Sequence, residues 1–317
     1  MKIAILDAGT LGDDICLDSI KKHGECSIYY TTEESEITER IKNADVVIVN
    51  KVKLNCDILK HAPKLKLICV AATGYDNIDV EYCRKNSIAL CNVVGYSTDS
   101  VAQLTAAMVL SLSVNLYSYT DYVASGKYSE SGKANKVEPV YHELCGKTWG
   151  IVGFGNIGRK VAALAQALGC RVVVNKREKT DGFECVSLEK LCEISDVITI
   201  HTPLTEQTRN MINKDTISLM KKDVILVNAA RGAVTDEAAI CDAIENGQIG
   251  AFGTDVYSVE PFGKEHPFYR VMDRDNVCLT PHMAWGSYEA RSRCMEEIAK
   301  NIQAFKNGEI RNRIDLI

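Results

Sequence analysis

The chain has 317 residues, 46% of them hydrophobic and 25% charged, with a formal net charge of -5 at pH 7. That length exceeds what one hydrophobic core usually holds, so two domains are expected, and the composition is that of a soluble globular protein without the basic excess of a nucleic-acid binder. No uncharged apolar run is long enough to cross a membrane, and the thirteen cysteines, never spaced Cys-x-x-Cys, suggest neither a disulfide framework nor a zinc site.

Met1 to Asp7 is too short for a signal h-region and reads as a first strand, which makes a cytoplasmic protein the expectation. Residues 1 to about 97 alternate apolar runs with polar, helix-like stretches. Strands are predicted at Ile3 to Leu6, Ser27 to Tyr30, Val46 to Val49, Leu67 to Ala71 and Ile88 to Cys91. That alternation implies a parallel sheet covered on both faces, with ligands collecting at the carboxyl ends of its strands. Two of those ends are equipped. Lys51, after Val46 to Asn50, could attract an anionic substrate or be an ordinary surface lysine. The loop Ala72-Thr73-Gly74-Tyr75-Asp76-Asn77-Ile78-Asp79 could hold a carboxylate on consecutive N–H groups, or be a turn whose Asp caps the next helix.

A cap-like cluster, Ser97 to Ser100, leads into an almost uncharged helical pattern over Val101 to Leu116, which predicts a buried helix. Residues 118 to 145 are polar and tyrosine-rich with no clear period, which suits a mobile loop or a surface for a second subunit. Six further strands are predicted at 149 to 153, 171 to 175, Val197 to Ile200, Val224 to Val227, Ile249 to Gly253 and Val277 to Thr280, followed by a helix over Trp285 to Phe305. Six strands with intervening helices make a complete doubly wound nucleotide domain.

The first of those strands runs into Gly153-Phe154-Gly155-Asn156-Ile157-Gly158, and Val161 to Leu168 continue at helical spacing. Gly153 would make the tight turn, Gly155 would let the backbone approach a pyrophosphate, and Gly158 would let the helix pack on the strand. The flanking change of period, from a continuous apolar run to helical spacing, supports a dinucleotide site over an ordinary glycine-rich turn. After Arg171 to Asn175, where an acid would accept the ribose hydroxyls of NAD, the chain has Lys176-Arg177. Cations there suit the 2′-phosphate of NADP, with NAD still possible if the turn is merely solvated.

Three polar groups follow late strands: Arg231 after Val227 to Ala230, Glu260 after Asp255 to Val259, and His282 after Leu279 to Pro281. Reducing a 2-oxo acid needs a cation for the carboxylate and ketone and a proton donor for the developing alkoxide. Arg231 can make the bidentate contact, His282 can deliver the proton, and Glu260 would hold the imidazole's tautomer. Singly, each could be structural; emerging from successive strand ends, they point to one site.

Taken together and in order, several stretches resemble the D-isomer-specific 2-hydroxyacid dehydrogenases over essentially the whole length. They are Ala72 to Asp79, Ser100-Val101-Ala102-Gln103, the glycine turn, His201-Thr202-Pro203-Leu204-Thr205, Asn228-Ala229-Ala230-Arg231-Gly232 and Thr280 to Trp285. The resemblance implies two doubly wound α/β domains: a flavodoxin-like substrate domain of residues 1–97 together with 286–317, and a Rossmann dinucleotide-binding domain of 98–285. It further implies His282 as acid/base, Glu260 as its partner, Arg231 as substrate clamp, and the loop at Thr73-Gly74 as carboxylate binder. Cofactor contacts are implied at Val101, Asn156, Ile157, Thr202, Pro203, Ala229 and Asp255, with no metal, and family members are typically homodimers. Asn50-Lys51, Ala71 to Tyr75 and Gln103 look most like glycerate dehydrogenases, also called hydroxypyruvate reductases, so hydroxypyruvate or glyoxylate leads the expected substrates. A bulkier 2-oxo acid is the same-class alternative, and a non-catalytic NAD(P)H-sensing protein is the alternative from another class. Lys176 departs from the family's usual acid, and Leu104 stands where a histidine is common.

Overall fold

The computed structural model describes residues 1–176 and 182–317. Its contacts divide the chain into two compact units, one of Met1–Ser97 with Trp285–Ile317 and one of Thr98–Ala284.

In the first unit, β1 (Lys2–Ile5), β2 (Glu25–Ile28), β3 (Val46–Val49), β4 (Leu67–Val70) and β5 (Ala89–Cys91) pair in parallel in the order β2-β1-β3-β4-β5. This is the flavodoxin-like order. All four residues of β3, Val-Val-Ile-Val, are buried, because helices cover both faces of the sheet. Successive side chains alternate between the faces. Ile5, Val46, Ile48, Leu67 and Cys69 pack with Met295, Ile298 and Ile302 of the helix Tyr288–Lys306. Leu6, Val47, Val49, Ile68 and Val70 pack with Ile37, Ile41, Ile58 and Leu59. β2 lies two residues earlier than Ser27 to Tyr30. It is an edge strand whose Ile28 is exposed, as is Tyr30 beyond its end, so the register is set by pairing Glu25 with Lys2 and not by an apolar face.

In the second unit, β6 (Thr148–Val152), β7 (Arg171–Asn175), β8 (Glu184–Cys185), β9 (Val197–Ile200), β10 (Ile225–Asn228), β11 (Ala251–Thr254) and β12 (Val277–Leu279) form a sheet. Among the described residues its order is β12-β11-β10-β9-β6-β7-β8, with every recorded pairing parallel. The order reverses between β6 and β9, the switch point at which dinucleotides bind in such sheets. The two-residue β8 was not foreseen; it is too short for any apolar period to mark it. Trp149, Ile151, Val172 and Val174 pack on Met108, Val109, Val161 and Ala165, while Val152, Ile198, Ile200 and Leu226 pack on Leu191, Ile217, Ile240, Phe252 and Phe268.

The expected Val101 to Leu116 helix is Thr98–Ser113, which buries Val101, Ala102, Thr105, Met108, Val109 and Leu112. Asn115 then adopts φ 52°, a left-handed break, and Leu116–Ala124 restarts as a helix bent by 67° from the first. Lys127–Ser131 adds a further helical turn. Part of the stretch expected to be without period is therefore helical, but it buries no side chain, and Leu116, Tyr117 and Val123 are exposed. Among the described residues, no single helix is long and apolar enough to cross a membrane.

Candidate active site

The glycine turn is built as the apolar-to-helical change of period requires. β6 ends at Val152, and the helix Asn156–Ala167 starts three residues after Gly153, burying Gly158, Val161, Ala162 and Ala165. Gly153 has φ 89°, and a Cβ on it would lie 2.7 Å from the main chain of His201 and Thr202. A Cβ on Gly158 would lie 2.3 Å from the Gly153 carbonyl oxygen, whereas a Cβ on Gly155 would meet nothing within 4 Å. Thus the first and third glycines permit close packing, and the second borders open space at a helix N-terminus, where N–H groups lack intrahelical acceptors. Asn156 is exposed and Ile157 half-buried at that end. Lys176, just past β7, is exposed; Arg177 lies outside the described residues.

Val101 is buried, and its carbonyl accepts from Thr105 Oγ1 at 2.8 Å. After β9, Thr208 Oγ1 donates to the Pro203 carbonyl at 2.7 Å, closing the loop that follows Thr202.

The sheet places β10, β11 and β12 side by side, so the turns that follow them share one edge. After β10, the fully buried Asn228 accepts from Ala230 N at 3.0 Å and donates through Nδ2 to the Arg231 carbonyl at 2.9 Å. Ala229 lies inside the turn so formed. The Arg231 guanidinium donates to the Ala230 carbonyl at 2.8 Å.

After β11, Asp255 is 1% exposed. Its carboxylate accepts from Thr280 Oγ1 at 2.6 Å and from the N–H groups of Met283 and Ala284, both at 2.8 Å. Burial pushes its pKa up against the opposing effect of these hydrogen bonds. Asp255 therefore fastens the turn after β12 on both sides of His282. His282 itself has φ 51° and donates its N–H to the Thr280 carbonyl at 3.0 Å. A left-handed non-glycine residue costs energy, and here the Asp255 bonds hold it. Glu260 Oε2 lies 2.6 Å from His282 Nδ1, and its Oε1 accepts from Tyr257 N at 3.0 Å. A carboxylate at Nδ1 orients the imidazole and favours a proton on that nitrogen.

The first unit holds Lys51 and the Thr73 loop by polar side chains that the sequence reading passed over. Asp7, 6% exposed at the end of β1, accepts from the N–H groups of Asn50 (2.9 and 3.0 Å), Lys51 (2.6 Å) and Val52 (3.0 Å). Asn77 Nδ2 donates to the Val52 carbonyl at 2.8 Å, which ties the two loops together. Thr73 Oγ1 donates to the Val93 carbonyl at 2.8 Å, and Asn92 Nδ2 donates to the Thr73 carbonyl at 2.7 Å. Thr73 is exposed and Gly74 half-buried. An acid immediately after an apolar run was the only sequence signal for Asp7.

His201 follows β9, and neither of its ring nitrogens has a hydrogen-bond partner among the described residues. Burial pushes its pKa from 6.5 down to about 3. The unfolded chain therefore binds a proton near pH 6.5 that the folded chain does not take up until about pH 3. Stability contributed by the neutral ring is complete above 6.5 and is lost as pH falls through that window, by up to about 1.4 kcal/mol per pH unit. We expect urea midpoints to fall between pH 7.5 and 5.5, and the slope to flatten in His201→Gln. Equal slopes in the two proteins would show that the ring does not carry the effect.

Among the described residues, no group of three or more His, Cys, Asp or Glu side chains could hold a metal ion. Burial pushes the thiols of Cys91, Cys192, Cys241 and Cys294 up to about 12, as suits small apolar core side chains.

Residues 106–284 match the family described as D-isomer specific 2-hydroxyacid dehydrogenase, NAD binding domain. A glycerate dehydrogenase from Methylorubrum extorquens is 35% identical over 285 residues, covering 90% of this chain and 90% of that protein. The solved structure of a D-lactate dehydrogenase from Aquifex aeolicus, complexed with NAD and lactic acid, is similar with a TM-score of 0.87 at 30% identity, covering 99% of both chains. An acyclic imino acid reductase in complex with NADPH and D-Arg has a TM-score of 0.87 at 28% identity, covering 99% of this chain and 100% of that one.

Proposed function

The chain belongs to the D-isomer-specific 2-hydroxyacid dehydrogenases, and from that premise we propose that it reduces hydroxypyruvate or glyoxylate to the corresponding 2-hydroxy acid. The observation that carries this reading is the 2.6 Å contact of Glu260 with His282 Nδ1, on the same sheet edge as the Arg231 turn. A sensor of the reduced cofactor would have no use for a positioned proton donor.

The open space beside Gly155, at the N-terminus of the helix Asn156–Ala167, fits a pyrophosphate. Gly153, Gly158, Asn156 and Ile157 would form its cradle, with Val101, Thr202, Pro203, Ala229 and Asp255 as further contacts. A bound reduced nicotinamide supplies the hydride for C2 of the oxo acid. Arg231 then holds the substrate carboxylate and polarises the ketone through its planar fork. His282 Nε2 gives its proton to the oxygen as negative charge develops there, and Glu260 keeps the ring oriented and offsets the charge that changes on it. Taken by itself, the first unit offers Lys51 and the main-chain N–H groups at Thr73 and Gly74 as an anion-binding strand edge.

We place NADP ahead of NAD, because Lys176 stands where an acid would repel a 2′-phosphate. A homodimer is proposed from the exposed Leu116, Tyr117, Val123, Val137, Val140 and Tyr141, which leave an apolar surface on the second unit. A reducing cytoplasm suits the buried thiols.

One preparation tests these points. Loss of reduced-nicotinamide absorbance is followed with NADPH and NADH against hydroxypyruvate, glyoxylate, pyruvate and phenylpyruvate, with sedimentation velocity on the same sample. Fastest turnover of hydroxypyruvate or glyoxylate with NADPH, by a dimer, is expected. Faster turnover of phenylpyruvate would replace the substrate assignment, preference for NADH would replace the cofactor assignment, and a monomer would remove the dimer.

A further inference from the structure

We propose that Glu237, a buried acid, is a positioning residue that acts through Glu260. The inference rests on the functional reading above, since Glu260 is taken there as the partner of the proton donor.

Glu237 opens the helix Glu237–Glu245, yet it is 8% exposed, whereas acids in a first helical turn usually face water. A buried carboxylate is costly unless it is well supplied with donors. Glu237 has three. Its Oε1 accepts from Ser258 N at 2.7 Å, and its Oε2 accepts from Ser258 Oγ. His266 Nε2 lies 3.0 Å from Oε2, within ion-pair range but not aligned for a hydrogen bond. His266 Nδ1 accepts from Phe268 N at 3.3 Å, so the nitrogen facing Glu237 is the one that carries the proton. The imidazole is enclosed by Phe262, Phe268 and Tyr257 at centroid distances of 4.8, 5.2 and 6.1 Å.

Ser258 lies in the segment between β11 and Glu260. On one side of it, Tyr257 N donates to Glu260 Oε1 at 3.0 Å, and Tyr257 Oη donates to the carbonyl of Thr280, two residues before His282, at 2.8 Å. Beneath it, Gly232 is so close that a Cβ would lie 2.0 Å from Tyr257 C and 2.3 Å from Ser258 N. The segment is thus pressed against the turn after Arg231 and clamped there by one carboxylate. Loosening the clamp frees Glu260 to leave Nδ1, and a small displacement of a catalytic contact is expensive in rate.

A double-mutant cycle tests this. Glu237→Ala is expected to lower kcat about 10- to 100-fold, with much smaller changes in KM for the oxo acid and cofactor. In a Glu260→Ala background the same change is expected to alter kcat by less than about twofold, because residues acting through one contact are not additive. A loss of the same size in both backgrounds would assign Glu237 a general structural role and overturn the proposal. Ser258→Ala, which removes one donor at the protein surface and leaves the buried acid in place, gives the same cycle with a smaller loss if Glu237→Ala does not fold.

A second readout does not need turnover. Nitrogen-15 NMR of the neutral His282 ring, assigned by difference against His282→Gln, reports which nitrogen carries the proton. The Nδ1–H tautomer is expected in the parent protein and a mixture with Nε2–H in Glu237→Ala or Ser258→Ala; an unchanged tautomer in both variants would overturn the proposal. Should the parent reduce no oxo acid, the functional reading fails and the tautomer still decides this one.

Discussion

Replacing His282 with Asn is expected to lower kcat/KM for the oxo acid about a thousandfold, within the 10²–10⁴ that a positioned general acid contributes. Such a factor corresponds to about 4 kcal/mol of transition-state stabilisation. Asn is the informative replacement because His282 sits at φ 51°, a conformation that Asn tolerates better than Ala. The Asp255 carboxylate would still bind the N–H groups of Met283 and Ala284, so the turn and the thermal midpoint should stay close to those of the parent protein. Binding of the reduced cofactor, read by fluorescence, should also persist. A variant that turned over at the parent rate would remove His282 from the mechanism. A variant that lost cofactor binding together with activity would show instead that the turn has collapsed.

Removing the Arg231 guanidinium is expected to cost about as much, but to divide differently between the kinetic constants. Arg231→Gln keeps the aliphatic stem and an amide while losing the charge and the planar fork. We expect kcat/KM to fall about 10³-fold, with KM rising and kcat falling, since the cation serves both the bound carboxylate and the oxygen that gains charge. Arg231→Lys should recover only about tenfold, because an ammonium restores charge without the bidentate geometry. The backbone of the turn should survive both changes: Asn228 holds the Ala230 N–H and the Arg231 carbonyl, neither of which involves the side chain being replaced. Recovery of full activity by lysine would mean that charge alone is required. An unchanged KM in Arg231→Gln would argue against a carboxylate contact.

Much of the site could be placed from local spacing. Gly153, Gly155 and Gly158 announce a strand-turn-helix, and the three glycines differ in the structure as their spacing suggests: two are crowded by neighbouring atoms and one faces open space. Arg231, Glu260 and His282 could be picked out as candidates because each lies in the loop after a strand signal, and adjacent parallel strands bring their carboxyl ends to one edge. The helix break at Asn115 was not visible, since the residues on both sides of it are apolar and helix-compatible, and a single left-handed residue leaves no period behind. Asp7 and Glu237 were passed over for a different reason. In sequence they look like ordinary hydrophilic acids at the end of a strand and the start of a helix.

Two parallel sheets and the strand-turn-helix at Gly153 to Gly158 were legible in the sequence, with Arg231, Glu260 and His282 as candidates for the chemistry, because these depend on periodicities and motifs only a few residues long. Tertiary structure alone decided which buried acids hold the site together. Asp7 meets N–H groups 43 to 45 residues away, and Glu237 meets Ser258 21 residues away. A buried carboxylate must find donors wherever the folded chain brings them, and no local pattern records that meeting.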